Sequence, residues 1–525
     1  MTFRSILLFT AFAVGFSACN QSGDKNQSVF VDPIDAQHYV LENGLNVYLS
    51  VNKDQPRVQT FIAVNTGSTN DPADVTGLAH YLEHMVFKGT SKFATLDWEK
   101  EKPLLNLISD LYEQQRNETD PDKKKAIYAK IDSVSGEAAK FAIANEYDKM
   151  INGLGAQGTN AFTSFERTAY INDVPSTELE KWMKIESERF SELVLRLFHT
   201  ELEAVYEEFN RGQDSDYSKS YKALDKLLFK KHQYGTQTTI GEGEHLKNPS
   251  MVKIHEYFDT YYVPNNMVVS IAGDIDAEKT LEMVKKYFGT WKRKELVQPT
   301  HPTEDPIAEP REATVYGPME EWVTIGYRLG GYHTEDPMMA ELMSTMLSND
   351  VAGLIDLNLK QKQTVLDAYC YSNTQRDYST MVFGGNPKSG QTLDEVKDLL
   401  IGQINLIKQG AFSDDLMPAV IRNLKVQELQ QFEENWLRAY LMTDAYIMGT
   451  TWEEYITRID RMSKVTKQQL VDWANKNFAN NYCVVYKRTG EDTTTFKVDK
   501  PQITPVDINR EVKSLFYDDL DKMRI

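Results

Sequence analysis

The sequence predicts an α+β protein of two α/β-sandwich domains, the first carrying an inserted helical hairpin. Three observations lead there. Short apolar strands alternate with amphipathic helices along most of the 525 residues, and a chain of that length exceeds a single core. A stretch with Pro299, Pro302, Pro306 and Pro310 divides the chain into halves that repeat the same style of strand and helix. Residues 100–145 then interrupt the first half alone with two charged helical segments. Composition is that of a globular protein, 41% hydrophobic and 26% charged. The net charge of −19 is spread along the chain, which excludes a nucleic-acid-binding role and is compatible with a cationic peptide partner.

Residues 1–18 read as a targeting leader: Arg4 is followed by an apolar run over 6–16 and by Ser17-Ala18. The run is too short for a permanent membrane span. Cys19 after small residues resembles a bacterial lipobox, so a lipid anchor at Cys19 and a periplasm-facing place in the cell envelope are expected, with plain secretion as the alternative. Residues 19–30 form a polar tether.

The first domain is expected over 31–295. Strands at 39–41 and 45–49 flank Glu42-Asn43-Gly44, a hairpin signal. A strand at 58–64 leads through a polar loop into a helix over 77–87. In the insertion, Leu104, Leu105, Ile108 and Leu111 keep a helical period, Asp120-Pro121-Asp122 turns the chain, and a second helix starts near Ala126. Its plainer reading is a surface decoration; the functional one is a wall or lid over a cleft. A Gly-rich segment from 153 turns into a strand ending near 170. A long helix over 174–196, a helix over 201–209, a loop at 232–240, a helix at 254–262, a strand at 266–273 and a closing helix at 277–291 complete the domain, and 296–311 is the linker. The second domain, 312–500, has strands at 322–327, 369–372, 381–385 and 483–487, and helices at 337–348, 393–409 and 416–431. Its only histidine is His333. Residues 501–525 read as a trailing tail. Cys370 and Cys483 sit in apolar surroundings, as buried thiols do.

The sharpest signal is the helix over 77–87, GLAHYLEHMVF. His80 and His84 are four residues apart and share a face, with Glu83 in the same arc. Two imidazoles from one helix and an adjacent proton-accepting carboxylate are what a catalytic zinc site asks for, here in the order H-x-x-E-H. Histidine is scarce, 9 residues in all, so the pattern is not a product of abundance. On the helix over 201–209, Glu201 and Glu208 fall on one stripe while Glu207 points away. Such carboxylates usually face solvent, but a third metal ligand is still wanted in the same domain.

The chain resembles the pitrilysin/insulinase family of zinc peptidases over residues 38–490. The resemblance rests on Gly67-Ser68, the run 77–90, Asn160-Ala161-Phe162-Thr163, the segment 201–208 and Tyr262-Val263-Pro264-Asn265-Asn266-Met267. It implies one zinc per chain held by His80, His84 and Glu208, Glu83 as general base, and Glu201 supporting a ligand from behind. It also implies an edge segment, Asn160-Ala161, that pairs with substrate backbone, and two domains forming half of a clamshell that closes on unfolded peptides. Two departures stand out. The segment 101–145 lengthens the spacing between His84 and Glu208. The family's Arg/Tyr pair for the scissile carbonyl finds its best match at Lys362 and Tyr369, where the Arg is missing, so a second half or subunit is expected to supply it. The expected activity is a zinc-dependent endopeptidase acting on unfolded peptides or small proteins, or on one dedicated small peptide. The rival is a non-catalytic scaffold or chaperone subunit.

Overall fold

The computed structural model describes residues 31–493, 496–498, 503–506 and 508–523. The leader, Cys19 and the tether lie outside the described residues. The first sheet holds β1 (Gln37–Val40), β2 (Asn46–Val51), β3 (Arg57–Val64), β4 (Gln157–Thr163), β5 (Thr168–Pro175) and β6 (Met267–Gly273), in the order β1-β2-β6-β3-β5-β4. The second holds β7 (Arg311–Gly317), β8 (Trp322–Gly330), β9 (Asp367–Thr374), β10 (Tyr378–Asn386) and β11 (Tyr482–Thr489), in the order β7-β11-β8-β10-β9. Without β1 the two orders coincide. Each sheet has one parallel pair at the same place, β2 with β6 and β7 with β11, and its other pairs are antiparallel. The repeat seen in the sequence is a repeated topology.

The central strand β6 is buried along its whole length. Its alternating side chains feed two cores: Val269 and Ile271 face one, Val268 and Ala272 the other. On the first of these faces lie α1 (Leu78–Met85), α2 (Trp98–Asn117), α3 (Pro121–Ala139), α4 (Glu146–Gly153), α5 (Leu179–Arg189) and α6 (Phe198–Asp214). The opposite face is covered by a helix of the second half, Asn435–Met448, whose Ala439, Met442 and Ala445 pack with Phe61, Val268 and Ala272. In return α7 (Asp216–Leu228) sets Leu224 and Leu228 against Val382, Cys483 and Val485 of the second sheet. Each half lends a helix to the other's sheet, so the proline-rich stretch divides the sheets but not the packing.

Several expectations change. The insertion is no surface decoration: Ile108, Leu111, Tyr112 and Ile131 belong to the main core, and Glu101 receives the buried Arg196 at 2.6 and 2.8 Å. The long helix expected over 174–196 is shorter. β5 runs to Pro175, α5 ends at Arg189, and Leu197 takes φ 56° before α6 begins. Arg196 also donates to the carbonyls of Lys88 and Thr90, and that buried anchor holds the chain out of helical register. The loop at 232–240 contains a short helix, Gln233–Thr236. The tail does not trail away. Val498 exchanges backbone hydrogen bonds with Asn210 of α6, Thr504 bonds Asp132 of α3, and the helix Leu515–Asp521 follows a bond from Ser514 to Glu146 of α4. Cys370 and Cys483 are buried free thiols. Among the described residues no helix is long and apolar enough to cross a membrane.

Candidate metal centre

The motif helix α1 is placed from its N-terminus. Gly77 takes φ 84°, a backbone that favours glycine, and an added Cβ would meet Ile240 O at 2.5 Å. The buried Asp71 carboxyl accepts hydrogen bonds from the Gly77 and Ala79 amides at 2.8 and 2.9 Å, satisfying donors that a helix start leaves free. Burial pushes the Asp71 pKa up to about 8 despite these bonds. Leu78, Leu82 and Met85 turn into the core, which leaves His80 and His84 toward α6. α6 in turn buries Phe198, Leu202, Val205 and Phe209 and presents Glu201 and Glu208. Tyr81 ties the two helices by donating to Phe198 O at 2.6 Å.

His80 Nε2 lies 3.4 Å and His84 Nε2 3.8 Å from the same oxygen, Glu208 Oε2. One ligand atom from each residue lies within 4.8 Å of the others. The far side of His84 is held as well: its Nδ1 is 2.9 Å from Glu201 Oε1, and Lys88 Nζ pairs with Glu201 Oε2 at 2.5 Å. Burial raises the Glu201 pKa, but the bonds from His84 and Lys88 outweigh it and keep the carboxyl below its ordinary range. For His84, burial is outweighed by the Glu201 bond and the surrounding carboxylates, and its pKa rises. Burial, with His84 alongside, lowers that of His80 to about 4. Glu83 is buried, which raises its pKa, and it accepts a 2.6 Å hydrogen bond from Thr163 Oγ1 at the end of β4.

The donor set fits a divalent zinc. Two imidazoles, one of them held neutral, and one carboxylate converge on a point at separations suited to tetrahedral ligands, and an outer carboxylate orients one ring. Glu207 is exposed and outside the cluster. Asn160 and Ala161 sit on β4, which pairs only with β5 and so leaves its outer edge free among the described residues. Tyr369 stands on β9, the edge of the second sheet, where it stacks with Tyr371 and bonds Tyr221 of α7. Lys362 is exposed and bonds Asn358 Oδ1 at 2.9 Å, away from the cluster. Sequence reasoning missed Thr163, Lys88 and Asp71 as supports. Thr163 and Lys88 lay inside the quoted motifs, but nothing in their spacing pointed at Glu83 or Glu201.

Against known proteins, the family model for Insulinase (Peptidase family M16) matches residues 47–112, which contain α1, and that for the Peptidase M16 inactive domain matches 251–424. The chain carries domains of the Peptidase M16 (insulinase/pitrilysin) family. The inactive-domain match begins beyond α6, so it does not touch the cluster. The chain is 23% identical to the zinc protease PqqE of Helicobacter pylori over 406 residues, 75% of this chain and 79% of that protein. It is 24% identical to the uncharacterized zinc protease YmxG of Bacillus subtilis, across 49% of this chain and 51% of the other. In fold it resembles the crystal structure of a Helicobacter pylori protease, with TM-score 0.70, 21% identity and coverage of 86% of this chain and 99% of that one. It resembles the periplasmic protease PqqL of Escherichia coli with TM-score 0.65 and 17% identity, covering 86% of this chain but only 47% of PqqL.

Proposed function

We propose that this M16 chain is a zinc-dependent endopeptidase that cleaves unfolded peptides or small proteins in the cell envelope. The observation that carries the reading is the convergence of His80, His84 and Glu208 with Glu83 beside them. The two histidines and Glu208 would hold the ion, and Glu201 fixes the His84 ring through Nδ1. Zinc, when bound, supplies a Lewis acid that acidifies water and polarises a carbonyl. Glu83, steadied by Thr163, accepts the proton of the attacking water and returns it to the leaving amine. Its burial suits that task, because a carboxylate with a raised pKa holds a transferred proton longer. The free edge of β4, carrying Asn160 and Ala161, accepts an extended peptide as an added strand. No serine or cysteine nucleophile is needed. The envelope location rests on the leader and Cys19, in keeping with a relative named as a periplasmic protease.

The test is Glu83→Gln. The variant is expected to keep one zinc and its fold while hydrolysis of a quenched unfolded peptide falls by roughly 10²- to 10⁴-fold. Near-normal turnover would remove Glu83 from its role. A zinc-free, inactive wild-type chain would favour the scaffold reading. One observation favours a refinement: Lys362 stands where an arginine is wanted and engages Asn358. Full activity is therefore proposed to need a second half or subunit that supplies an Arg/Tyr pair. Full-strength cleavage by the pure monomer would sink that refinement.

A further inference from the structure

A cavity of about 450 Å³ opens beside Glu208, between α6 and α7. Its walls are mainly apolar and aromatic, with Phe165, Tyr221, Tyr234 and Ile240, and Asp225 of α7 reaches into it. Among the described residues no hydrogen bond or ion pair reaches the Asp225 carboxylate, and burial alone pushes its pKa up to about 7. The two lysines that line the same space are engaged elsewhere: Lys219 pairs with Asp492 at 2.8 Å and Lys222 with Glu242 at 3.3 Å.

The internal repeat shows what such an aspartate ordinarily holds. α7 and Asn435–Met448 occupy the same place in the two halves, each covering the other half's sheet. Tyr221 and Asp225 stand at the same positions in α7 as Tyr440 and Asp444 in that helix. Asp444 is saturated by the chain itself: Arg167 Nη2 lies 2.5 Å away and Tyr455 donates at 2.8 Å. The Arg167 guanidinium also packs 5.5 Å from the Tyr440 ring. Arg167 comes from the turn between β4 and β5. At the matching turn of the second half, between β9 and β10, Asp377 stands just before the strand and goes to His232 instead. The first half thus keeps the aspartate and the aromatic partner of a cation site without the cation.

We propose that Asp225 is the specificity residue of the centre, receiving an arginine or lysine side chain of the substrate beside the scissile bond. This rests on the peptidase reading above. The apolar walls suit the methylene stem, and the Tyr221 and Tyr234 rings suit a cation at its tip. The carboxylate would gain the partner its desolvation calls for. The chain's net charge of −19 favours approach of such peptides.

The test uses the zinc-loaded chain and peptides of neutral residues carrying one arginine, one norleucine or one glutamate. Cleavage is expected to favour arginine over norleucine by roughly 10- to 100-fold in kcat/KM, as for hydrogen bonds to a charged partner. Asp225→Asn should abolish the preference without changing zinc content. The same ratio, read as binding by fluorescence anisotropy in Glu83→Gln protein, does not depend on turnover. Equal handling of arginine and norleucine peptides by wild type overturns the inference and leaves the peptidase reading intact. So does a preference that survives in Asp225→Asn. Arginine-selective binding lost in Glu83→Gln/Asp225→Asn, with no cleavage by wild type, upholds the inference and overturns the peptidase reading. If Asp225→Asn folds poorly, Asp225→Glu, which keeps the charge, should retain an arginine preference, and its loss there would also overturn the inference.

Discussion

Apart from β1 and the inserted helices α2 and α3, the two halves repeat one sheet order, and they differ in how their carboxylates are paired. In the first, α1 follows β3 and faces α6, and one ligand atom each of His80, His84 and Glu208 lies within 4.8 Å of the others. In the second, Asp336–Leu347 follows β8, and Leu416–Gln431 holds the place of α6. They present Glu341 and Glu428, and Arg458 pairs with both, at 3.5 and 2.7 Å. The difference repeats at Asp444, neutralised by Arg167, and Asp225, which has no such partner among the described residues. The second half's carboxylates are paired with arginines, Arg458 of its own and Arg167 of the first half, whereas among the described residues Glu208 and Asp225 of the first have no arginine partner.

The largest effects should come from the first half. Glu208→Gln is expected to weaken zinc binding by more than about 100-fold. Glu201→Gln, which touches the ion only through His84, should cost roughly 10- to 100-fold, the range for outer partners. Glu207→Gln should leave affinity unchanged. Competition against a chelator of known affinity measures all three, and a loss with Glu207→Gln larger than with Glu208→Gln would show the α6 register to be wrong.

The second half should answer in stability and not in metal. Arg458→Met leaves Glu341 and Glu428 without their shared cation. Full burial of a broken pair costs about 3–5 kcal/mol; these groups are partly exposed, so about 2 kcal/mol is expected, read by denaturant unfolding. Adding Glu341→Gln and Glu428→Gln should recover much of it, with zinc content constant throughout. Failure of the triple variant to recover would mean that Arg458 acts through packing against Tyr455 and not through charge.

What the sequence let one read follows the range of each interaction. α1 was legible because its histidines, its apolar stripe and its length lie within one short run, and β6 because a largely apolar run, interrupted by Ser270 alone and bounded by Asn266 and Asp274, has few other uses. The exchanged helices were not legible. The stripe of α7 says that one face is buried, but not whether Leu224 and Leu228 meet the sheet before them or the one after. Asn435–Met448 was passed over for the same reason. Arg196 looked like the end of an amphipathic helix, since nothing local reveals that Glu101, far back in the insertion, is its partner. Residues 501–525 read as a trailing tail because their prolines and charges carry no period. Its anchors are scattered: paired polar contacts to α3 and α6, one to α4, and Val498 and Leu520 in the main core.

Those anchors give a smaller test. Asn210 lies close to Glu208 on α6, and its amide both donates to Val498 O, at 2.9 Å, and accepts from Val498 N, at 2.8 Å. The second half has no described equivalent of this strap across its own helix pair. Asn210→Ala should lower stability by about 1–2 kcal/mol, the cost of two backbone groups losing their partner. If the strap also steadies the ligand helix, zinc affinity should fall modestly, by less than with Glu201→Gln. Unchanged stability would mean that the tail is merely laid against α6.

The smallest contrast lies at the starts of the two corresponding helices. Asp336 is half-buried and accepts from Gly330 N at 2.7 Å and Trp473 Nε1 at 2.8 Å. Asp71 does the comparable work for α1 from a buried position, and burial lifts its pKa to about 8 against the pull of the Ala79, Gly77 and Leu78 amides. The sign follows from proton binding. Between the ordinary carboxylate range near 4 and a folded value near 8, the folded state keeps a proton that the unfolded state has lost. Stability from this group is therefore full below pH 4 and declines as pH rises toward 8, by at most about 1.4 kcal/mol per pH unit. Asp71→Asn removes the titration and keeps an oxygen to accept from the helix amides. Its unfolding free energy, measured beside wild type from pH 5 to pH 8, should gain on wild type steadily as pH rises. Parallel curves would mean that the amides at the start of α1 hold Asp71 as an anion, with the helix N-terminus outweighing burial.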